Sequence, residues 1–244
     1  MKKKFIHFLY NFYRPVLIFI VGVDTTILGS LVILLSFIDR HGNIVHHIGK
    51  FWSHVNLFLA GVSVETTGRE NIRKGQPYIL MSNHQSSLDI WTLIGYIPLQ
   101  LRWVMKIELR KVPVFGLGCE RMGHIYIDRG HSEKAHENLK AVGKKIREGA
   151  SVIFFPEGTR STTGKLLPFK KGGFVVALEA GVPILPVTIT GSFKLLPKKS
   201  LRVIPGKIRL IIHEPIPVDG YTYESKELLM DRVRKVIEKD LVDF

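Results

Sequence analysis

The sequence predicts an α/β fold: one domain with a mostly buried central sheet flanked by helices, preceded by an N-terminal membrane-associated helical hairpin. Three observations carry this expectation. An apolar run of 23 residues, Val16–Ile38, is followed by an amphipathic repeat. Beyond Val64, short apolar runs alternate with helical periodicities, the pattern of a layered α/β fold. The 244 residues, 45% hydrophobic, suffice for one sizeable core but not for two. The expected division is residues 1–64 as a two-helix membrane anchor and residues 65–244 as the α/β domain.

The apolar run reads VLIFIVGVDTTILGSLVILLSFI, with Asp24 as its one charge. It is long enough to cross a bilayer with some tilt. Lys2, Lys3, Lys4 and Arg14 precede it and favour a cytoplasmic N-terminus, so a single crossing would put the rest of the chain outside the cell. The next segment offers another solution. Ile44, Val45, Ile48, Phe51, Trp52, Val55, Phe58, Leu59 and Val62 recur at helical spacing, with Lys50, His46, His47, His54 and Asn56 between them. That is an amphipathic helix rather than a second span. With Arg40-His41-Gly42-Asn43 as the turn, the two segments form a hairpin that enters one leaflet or lies in its interface. Asp24 then faces the partner helix or snorkels, since a carboxylate at the bilayer centre costs roughly 2.5–3.5 kcal/mol. A true single span and a cleaved signal peptide are the alternatives. Against the second, the run is longer than a signal h-region and no small-x-small cleavage site follows it.

Strands are expected at Tyr78–Ser82, Leu101–Met105, Ile125–Ile127, Val152–Phe155, Ile184–Thr190 and Lys207–His213, each short and bounded by polar residues, Gly or Pro. Ser132–Arg147 puts Ala135, Leu139, Val142 and Ile146 on one face and stops at Gly149. Glu224–Val242 repeats in the same way through Leu229, Val233, Val236, Ile237 and Leu241. Both read as helices covering the sheet.

Lys and Arg number 35 against 21 Asp and Glu, a formal charge of +14. Residues 65–244 alone hold 29 against 19, or +10. Such a surface attracts nucleic acid, an anionic membrane or a phosphorylated ligand. No aromatic-interleaved basic stripe, zinc-finger spacing or recognition-helix pattern is present, so no nucleic-acid partner is expected. Membrane and phosphate remain. Cys119 is the single cysteine, which excludes an internal disulfide and a CxxC metal site. No metal is expected.

The chemistry-bearing residues follow strands. Asn83-His84-Gln85-Ser86-Ser87-Leu88-Asp89 leaves the strand Tyr78–Ser82 and opens the helix Leu88–Tyr96, with Ser86 or Ser87 as its cap. Asp89, in the first helical turn, is placed to accept from one imidazole nitrogen of His84 and leave the other basic. Such an oriented imidazole can take a proton from a weakly acidic hydroxyl. No G-x-S-x-G elbow exists and Cys119 has no base beside it, so the nucleophile is expected to come from the substrate. Taken alone, His84 also reads as a loop histidine and Asp89 as a carboxylate favoured by a helix N-terminus. Phe155-Pro156-Glu157-Gly158-Thr159-Arg160 follows the strand Val152–Phe155. Gly158 permits close approach to an anion, Arg160 offers a donor fork to phosphate, and Glu157 is expected to orient that Arg or another basic group. Gly123-His124-Ile125-Tyr126-Ile127-Asp128-Arg129 delivers Arg129 to the same edge. Lys106, just past a strand, reads either as a phosphate contact or as a solvated loop lysine. Val182-Pro183-Ile184-Leu185-Pro186-Val187 is apolar and is expected to wall an acyl channel.

These four segments, in this order, resemble the conserved blocks of the glycerolipid acyltransferases, specifically the bacterial 1-acyl-glycerol-3-phosphate acyltransferases, over roughly residues 65–215. The resemblance implies His84 as general base and Asp89 as its orienting partner. It implies that Arg129, Glu157, Gly158, Thr159 and Arg160 bind the acceptor phosphate, with Lys106 a further candidate from its position alone, and that Val182, Pro183, Ile184 and Pro186 serve acyl binding and structural support. The implied reaction moves an acyl chain from acyl-coenzyme A or acyl carrier protein to the sn-2 hydroxyl of lysophosphatidic acid, without a metal or redox cofactor, at the cytoplasmic face of the inner membrane. Glycerol 3-phosphate or another lysolipid as acceptor, and a non-catalytic lipid-binding module, are the alternatives. One departure from the pattern is Tyr126, where many relatives carry Phe.

Overall fold

Apolar side chains on both faces of short strands demand cover on both sides, and the chain supplies it with helices. The computed structural model describes residues 2–39, 42–128, 135–200 and 202–241. In chain order its elements are α1 (Lys2–Leu35), α2 (Asn43–Leu59), β1 (Val62–Thr67), β2 (Ile79–Ser82), α3 (Leu88–Tyr96), β3 (Leu101–Lys106), α4 (Phe115–Arg121), β4 (Ile125–Ile127), α5 (Ala135–Arg147), β5 (Ser151–Phe154), α6 (Gly172–Ala180), β6 (Ile184–Thr190), α7 (Ser192–Leu195), β7 (Gly206–Ile212) and α8 (Lys226–Lys239). The strands form one sheet in the order β1-β7-β6-β2-β5-β3-β4. Its pairs are parallel except β6 with β7.

Alternation along β2 divides the core. Tyr78 and Leu80 join Leu57, Leu88, Leu93 and Leu210 on one face. Ile79 and Met81 join Val142, Phe174, Leu229 and Val233 on the other. The chain moves from β2 outward to β3 and β4, returns to β5 beside β2, then crosses to β6 on the far side. That reversal opens a crevice at the C-terminal ends of β2 and β5, where open α/β sheets place ligands.

All six expected strands are present, with ends shifted by no more than one residue. The seventh, β1, has only two apolar residues in VSVETT and lies at the sheet edge beside β7. The expected boundary at residue 65 falls inside it. Helices α4, α6 and α7 are also additions to the sequence reading. Two glycines in FGLGCER hide the helical period of α4, and Gly116 is required where the chain passes the Arg110 backbone. A Cβ at Gly116 would collide with the Arg110 carbonyl oxygen.

The hairpin is antiparallel and docked on the domain. Tyr13 Oη donates to the Leu59 carbonyl, Trp52 Nε1 donates to Thr25 Oγ1 at 3.0 Å, and Asn56 Nδ2 donates to Asp24 Oδ2 at 2.9 Å. Asp24 faces the partner helix, as expected. α1 stops at Leu35 rather than Ile38 because the chain must turn for Asp39, whose carboxylate accepts the Asn43 and Val45 amides at 3.0 and 2.9 Å and so caps α2. Arg40 and His41 of the expected turn lie outside the described residues. Tyr13–Leu35 is one helix long and apolar enough to cross a membrane. Ile18, Phe19, Ile27 and Leu34 of α1, with Ile44, Phe51 and Phe58 of α2, are exposed.

Asn56 is fully buried, so its bond to Asp24 is part of what holds α1 against α2. Asn56→Leu leaves the Asp24 carboxylate with only Thr25 as donor and should destabilise the detergent-solubilised protein by about 1–3 kcal/mol, whereas Asp24→Leu combined with Asn56→Leu should recover most of that loss. Thermal unfolding of the two single variants and the double variant measures the cycle.

Candidate functional site

The site begins where β2 ends. Asn83 is buried, and its carboxamide bonds the backbone of Ile189 twice, accepting from the amide and donating to the carbonyl, each at 2.8 Å. The side chain thereby continues the β2–β6 ladder while the main chain turns away. Asp89, fully buried in the first turn of α3, accepts on Oδ2 from the Gln85 and Ser86 amides at 2.7 Å each. The same oxygen lies 2.9 Å from His84 Nδ1. An oxygen that only accepts makes Nδ1 the protonated nitrogen and leaves Nε2 with a free lone pair. The imidazole stacks on Phe155 with centroids 3.8 Å apart and 15° between planes, which holds the ring's tilt. Ser87 is the N-cap residue of α3 but makes no capping bond. Its hydroxyl instead accepts from Arg160 Nη1 at 2.6 Å.

Glu157 corrects an expectation. Its carboxylate accepts the His84 amide at 2.7 Å and the Leu167 amide at 2.8 Å. It is buried and does not reach out to an anion or orient Arg160. Gly158 takes φ +71°, which turns the loop over the strand end and puts Lys170 against the position a Cβ would fill. Desolvation by burial, with the charge of Asp89 adding to it, pushes the Glu157 carboxyl up to about 7 despite the two amides that oppose the shift.

His84, Ser87, Trp103, Lys106, Arg160 and Lys198 line a cleft of about 600 Å³. The structure thus brings His84, Lys106, Gly158, Thr159 and Arg160 together. Arg129 lies outside the described residues. Val182, Pro183, Ile184 and Pro186 do not wall this space. β6 runs parallel to β2, so they lie at its N-terminal end, where Ile79 donates to the Pro183 carbonyl at 3.1 Å and Ile184 pairs with Ile216. They pair within the sheet, consistent with the structural support expected of them, and line neither the cleft nor the pocket next to it.

A second pocket, beside the cleft, is apolar. Its cavity volume is about 60 Å³, between α1, α2, α3, α4 and β3, with Leu28, Val32, Ile48, Cys119 and Met122 in its wall. Trp103 and Phe115 line both spaces, which are therefore neighbours. Nothing in the apolar periodicity signals it, because its wall is gathered from five elements. Burial pushes the Cys119 thiol up to about 12, which makes it a poor nucleophile. Lys198 was also absent from the sequence reading, having no motif around it.

Residues 63–190 match the family model described as Acyltransferase. The chain is similar to a chloroplastic 1-acyl-sn-glycerol-3-phosphate acyltransferase of Brassica napus, at 35% identity over 91% of this chain and 64% of the relative. It is equally similar, at 35%, to the human 1-acyl-sn-glycerol-3-phosphate acyltransferase alpha over 72% of this chain and 63% of that protein. The chain therefore spans somewhat under two thirds of the length of these curated relatives. The crystal structure of the 1-acyl-sn-glycerophosphate acyltransferase PlsC from Thermotoga maritima matches with a TM-score of 0.83 and 30% identity, covering 98% of this chain and 95% of that one.

The Glu157 geometry has a consequence for stability. With a folded pKa about 7 and an ordinary value of 4.5, the folded state holds a proton that the unfolded state has lost anywhere between the two. Stability therefore falls as pH rises through that window. The melting temperature of the wild type, taken relative to Glu157→Gln, should decrease between about pH 5 and pH 8; a constant difference would show that the carboxyl titrates normally.

Proposed function

The chain belongs to the acyltransferase family, and from that premise we propose that it transfers a fatty acyl chain from an acyl thioester to the sn-2 hydroxyl of 1-acyl-sn-glycerol 3-phosphate, giving phosphatidic acid. The observation that carries this reading is the His84–Asp89 pair, at 2.9 Å, facing a cleft that also holds Lys106 and Arg160. In this scheme the acceptor's phosphate meets those cations while its hydroxyl meets Nε2 of His84. His84 takes the hydroxyl proton as the oxygen attacks the thioester carbonyl. The carbon–sulfur bond breaks as the tetrahedral intermediate collapses, and the proton passes from His84 to the departing thiolate. Asp89 keeps the imidazole in the required tautomer and stabilises its charged form between those steps. The chain's own residues suffice for this sequence, with acyl-coenzyme A or acyl carrier protein entering as co-substrate rather than cofactor.

In the same reading the acyl chain runs from His84 towards the apolar pocket, which shares Trp103 and Phe115 with the cleft. The exposed apolar residues of α1 and α2 enter one leaflet of the membrane, on the cytoplasmic face of the inner membrane where acyl thioesters are made. An amphiphilic acceptor then reaches the cleft without leaving the lipid.

Thiol release from acyl-coenzyme A by detergent-solubilised protein, with and without the lysolipid, tests the reaction. Acceptor-dependent release is the expected result, and His84→Ala should lower kcat by about 10²–10⁴-fold. A variant that turns over within threefold of wild type would remove His84 from the base role. For the pocket, Leu28→Trp fills volume in the wall and should shift donor preference towards shorter chains, each methylene denied burial costing about 0.8 kcal/mol. Competition between myristoyl and stearoyl thioesters reads the shift, and an unchanged ratio would place the chain elsewhere.

A further inference from the structure

The segment joining α7 to β7 carries a cation into the cleft from outside the four motifs and beyond the residues that match the family model. Lys198 Nζ donates to Thr159 Oγ1 and to the Arg160 carbonyl, each at 2.9 Å. Two of its three N–H groups are thereby used, and one is left to donate. The segment is anchored rather than loose. The Leu196 carbonyl accepts from Ser86 Oγ at 2.8 Å, which ties it to the loop that carries His84, and Ile204 donates to the Leu195 carbonyl at 2.8 Å. Between these ties a turn presents Lys198: Ser200 donates to the Pro197 carbonyl at 3.1 Å, and Lys199, third in the turn, sits at φ +66°. That position of such a turn usually belongs to glycine, so the chain holds a strained residue directly beside the one that enters the cleft.

The charge balance of the cleft gives this placement a purpose. Among the described residues its lining holds Lys106, Arg160 and Lys198 against one acid, Glu108. No carboxylate among those residues pairs with Arg160 or Lys198, whose partners are a hydroxyl, a second hydroxyl and a carbonyl. Two cations would serve a singly charged phosphodiester. A third suits a phosphate monoester, which carries about −1.5 to −2 charges at pH 7. We propose that Lys198 is a third anion-binding residue of the cleft, and that it makes the site select an acceptor bearing a phosphate monoester over a lysolipid bearing a phosphodiester. This rests on the acyl-transfer reading. The acceptor is the chosen source of the anion because its phosphate is only the C3 carbon and one oxygen away from the carbon bearing the reacting hydroxyl. The phosphates of coenzyme A stand a whole pantetheine arm from the thioester.

The test compares wild type, Lys198→Met, Lys198→Arg and Lys199→Gly in the thiol-release assay, with the lysophosphatidate concentration varied between pH 5.5 and 8. Lys198→Met should raise the acceptor KM about tenfold with kcat within threefold, and Lys198→Arg should restore most of the loss. In wild type the KM should fall as the phosphate loses its second proton near pH 6, and this fall should flatten in Lys198→Met. The preference for lysophosphatidate over lysophosphatidylcholine should shrink in parallel. Lys199→Gly removes an equal charge one residue away and should leave the KM near wild type. A loss of kcat at constant KM would make Lys198 a mere strap for the Arg160 loop and overturn the proposal. So would a rise confined to the acyl-coenzyme A KM, or an equal effect from Lys199→Gly. If wild type releases no thiol, the acyl-transfer reading fails separately, and glycerol 3-phosphate becomes the probe. Thermal stabilisation of wild type but not of Lys198→Met would still support the anion site, and equal or absent stabilisation in both would overturn it.

Discussion

A buried carboxylate between two loops is the constraint on which the rest of the site depends. Glu157 accepts the amide of His84 on one oxygen and the amide of Leu167 on the other, so the turn after β2 and the turn after β5 cannot move independently. A buried amide without a partner would cost more than the bond itself contributes, which is why one acidic side chain can register two strand ends. The parallel β2–β5 pair sets the ends at the same height, and Ser161 adds a second tie by donating to the His84 carbonyl at 2.8 Å. His84 is then oriented twice, through its main chain by Glu157 and through its ring by Asp89 and Phe155.

The hairpin is more than an anchor attached to a finished domain. Its buried stripe, including Val45, Gly49, Ser53, Asn56 and Leu57, packs inward, while Ile44, Phe51 and Phe58 point out. One helix thus meets the protein on one side and presents an apolar face on the other. The inward side completes the apolar pocket, whose wall includes Leu28 and Val32 of α1 and Ile48 of α2. At the far end of the hairpin, Gln100 donates to Asn43 at 2.6 Å, and a Cβ at Gly42 would lie 2.8 Å from the guanidinium of Arg102, so the start of α2 is fixed against the start of β3. In the proposed function, the surface that meets lipid and the space that takes the acyl chain are therefore opposite faces of the same two helices.

Much of this was legible in the residues. The alternation of apolar runs with helical periodicities located six strands, because a buried strand must be apolar and must end in residues that turn. His84 and Asp89 were legible as a pair, since five residues spanning a strand end and a first helical turn bring an imidazole and a carboxylate together. β1 was not legible, because an edge strand with one covered face needs few apolar residues. α4 was not, because its glycines interrupt the apolar period, Gly116 making room for the Arg110 backbone. Glu157 was misread because an acidic residue beside an arginine suggests a partner, while its burial, decided by Leu167 ten residues on, made it an acceptor for amides.

By itself, the sequence determined which chemistry is available: a histidine with its carboxylate, cations after strands, an apolar hairpin and no competing nucleophile. These are local facts, set by side-chain type and by spacings within a few residues of a strand end. The tertiary structure decided which of them act together. It put the Val182–Pro186 segment at the wrong end of β6 for the cleft, and built the apolar pocket from residues up to about a hundred positions apart. It also brought Lys198 onto Thr159 and Arg160. The reason is strand direction and order: a parallel sheet sends every motif to one edge or the other, and a reversal of winding chooses which edges meet, neither of which is written in the neighbours of any single residue.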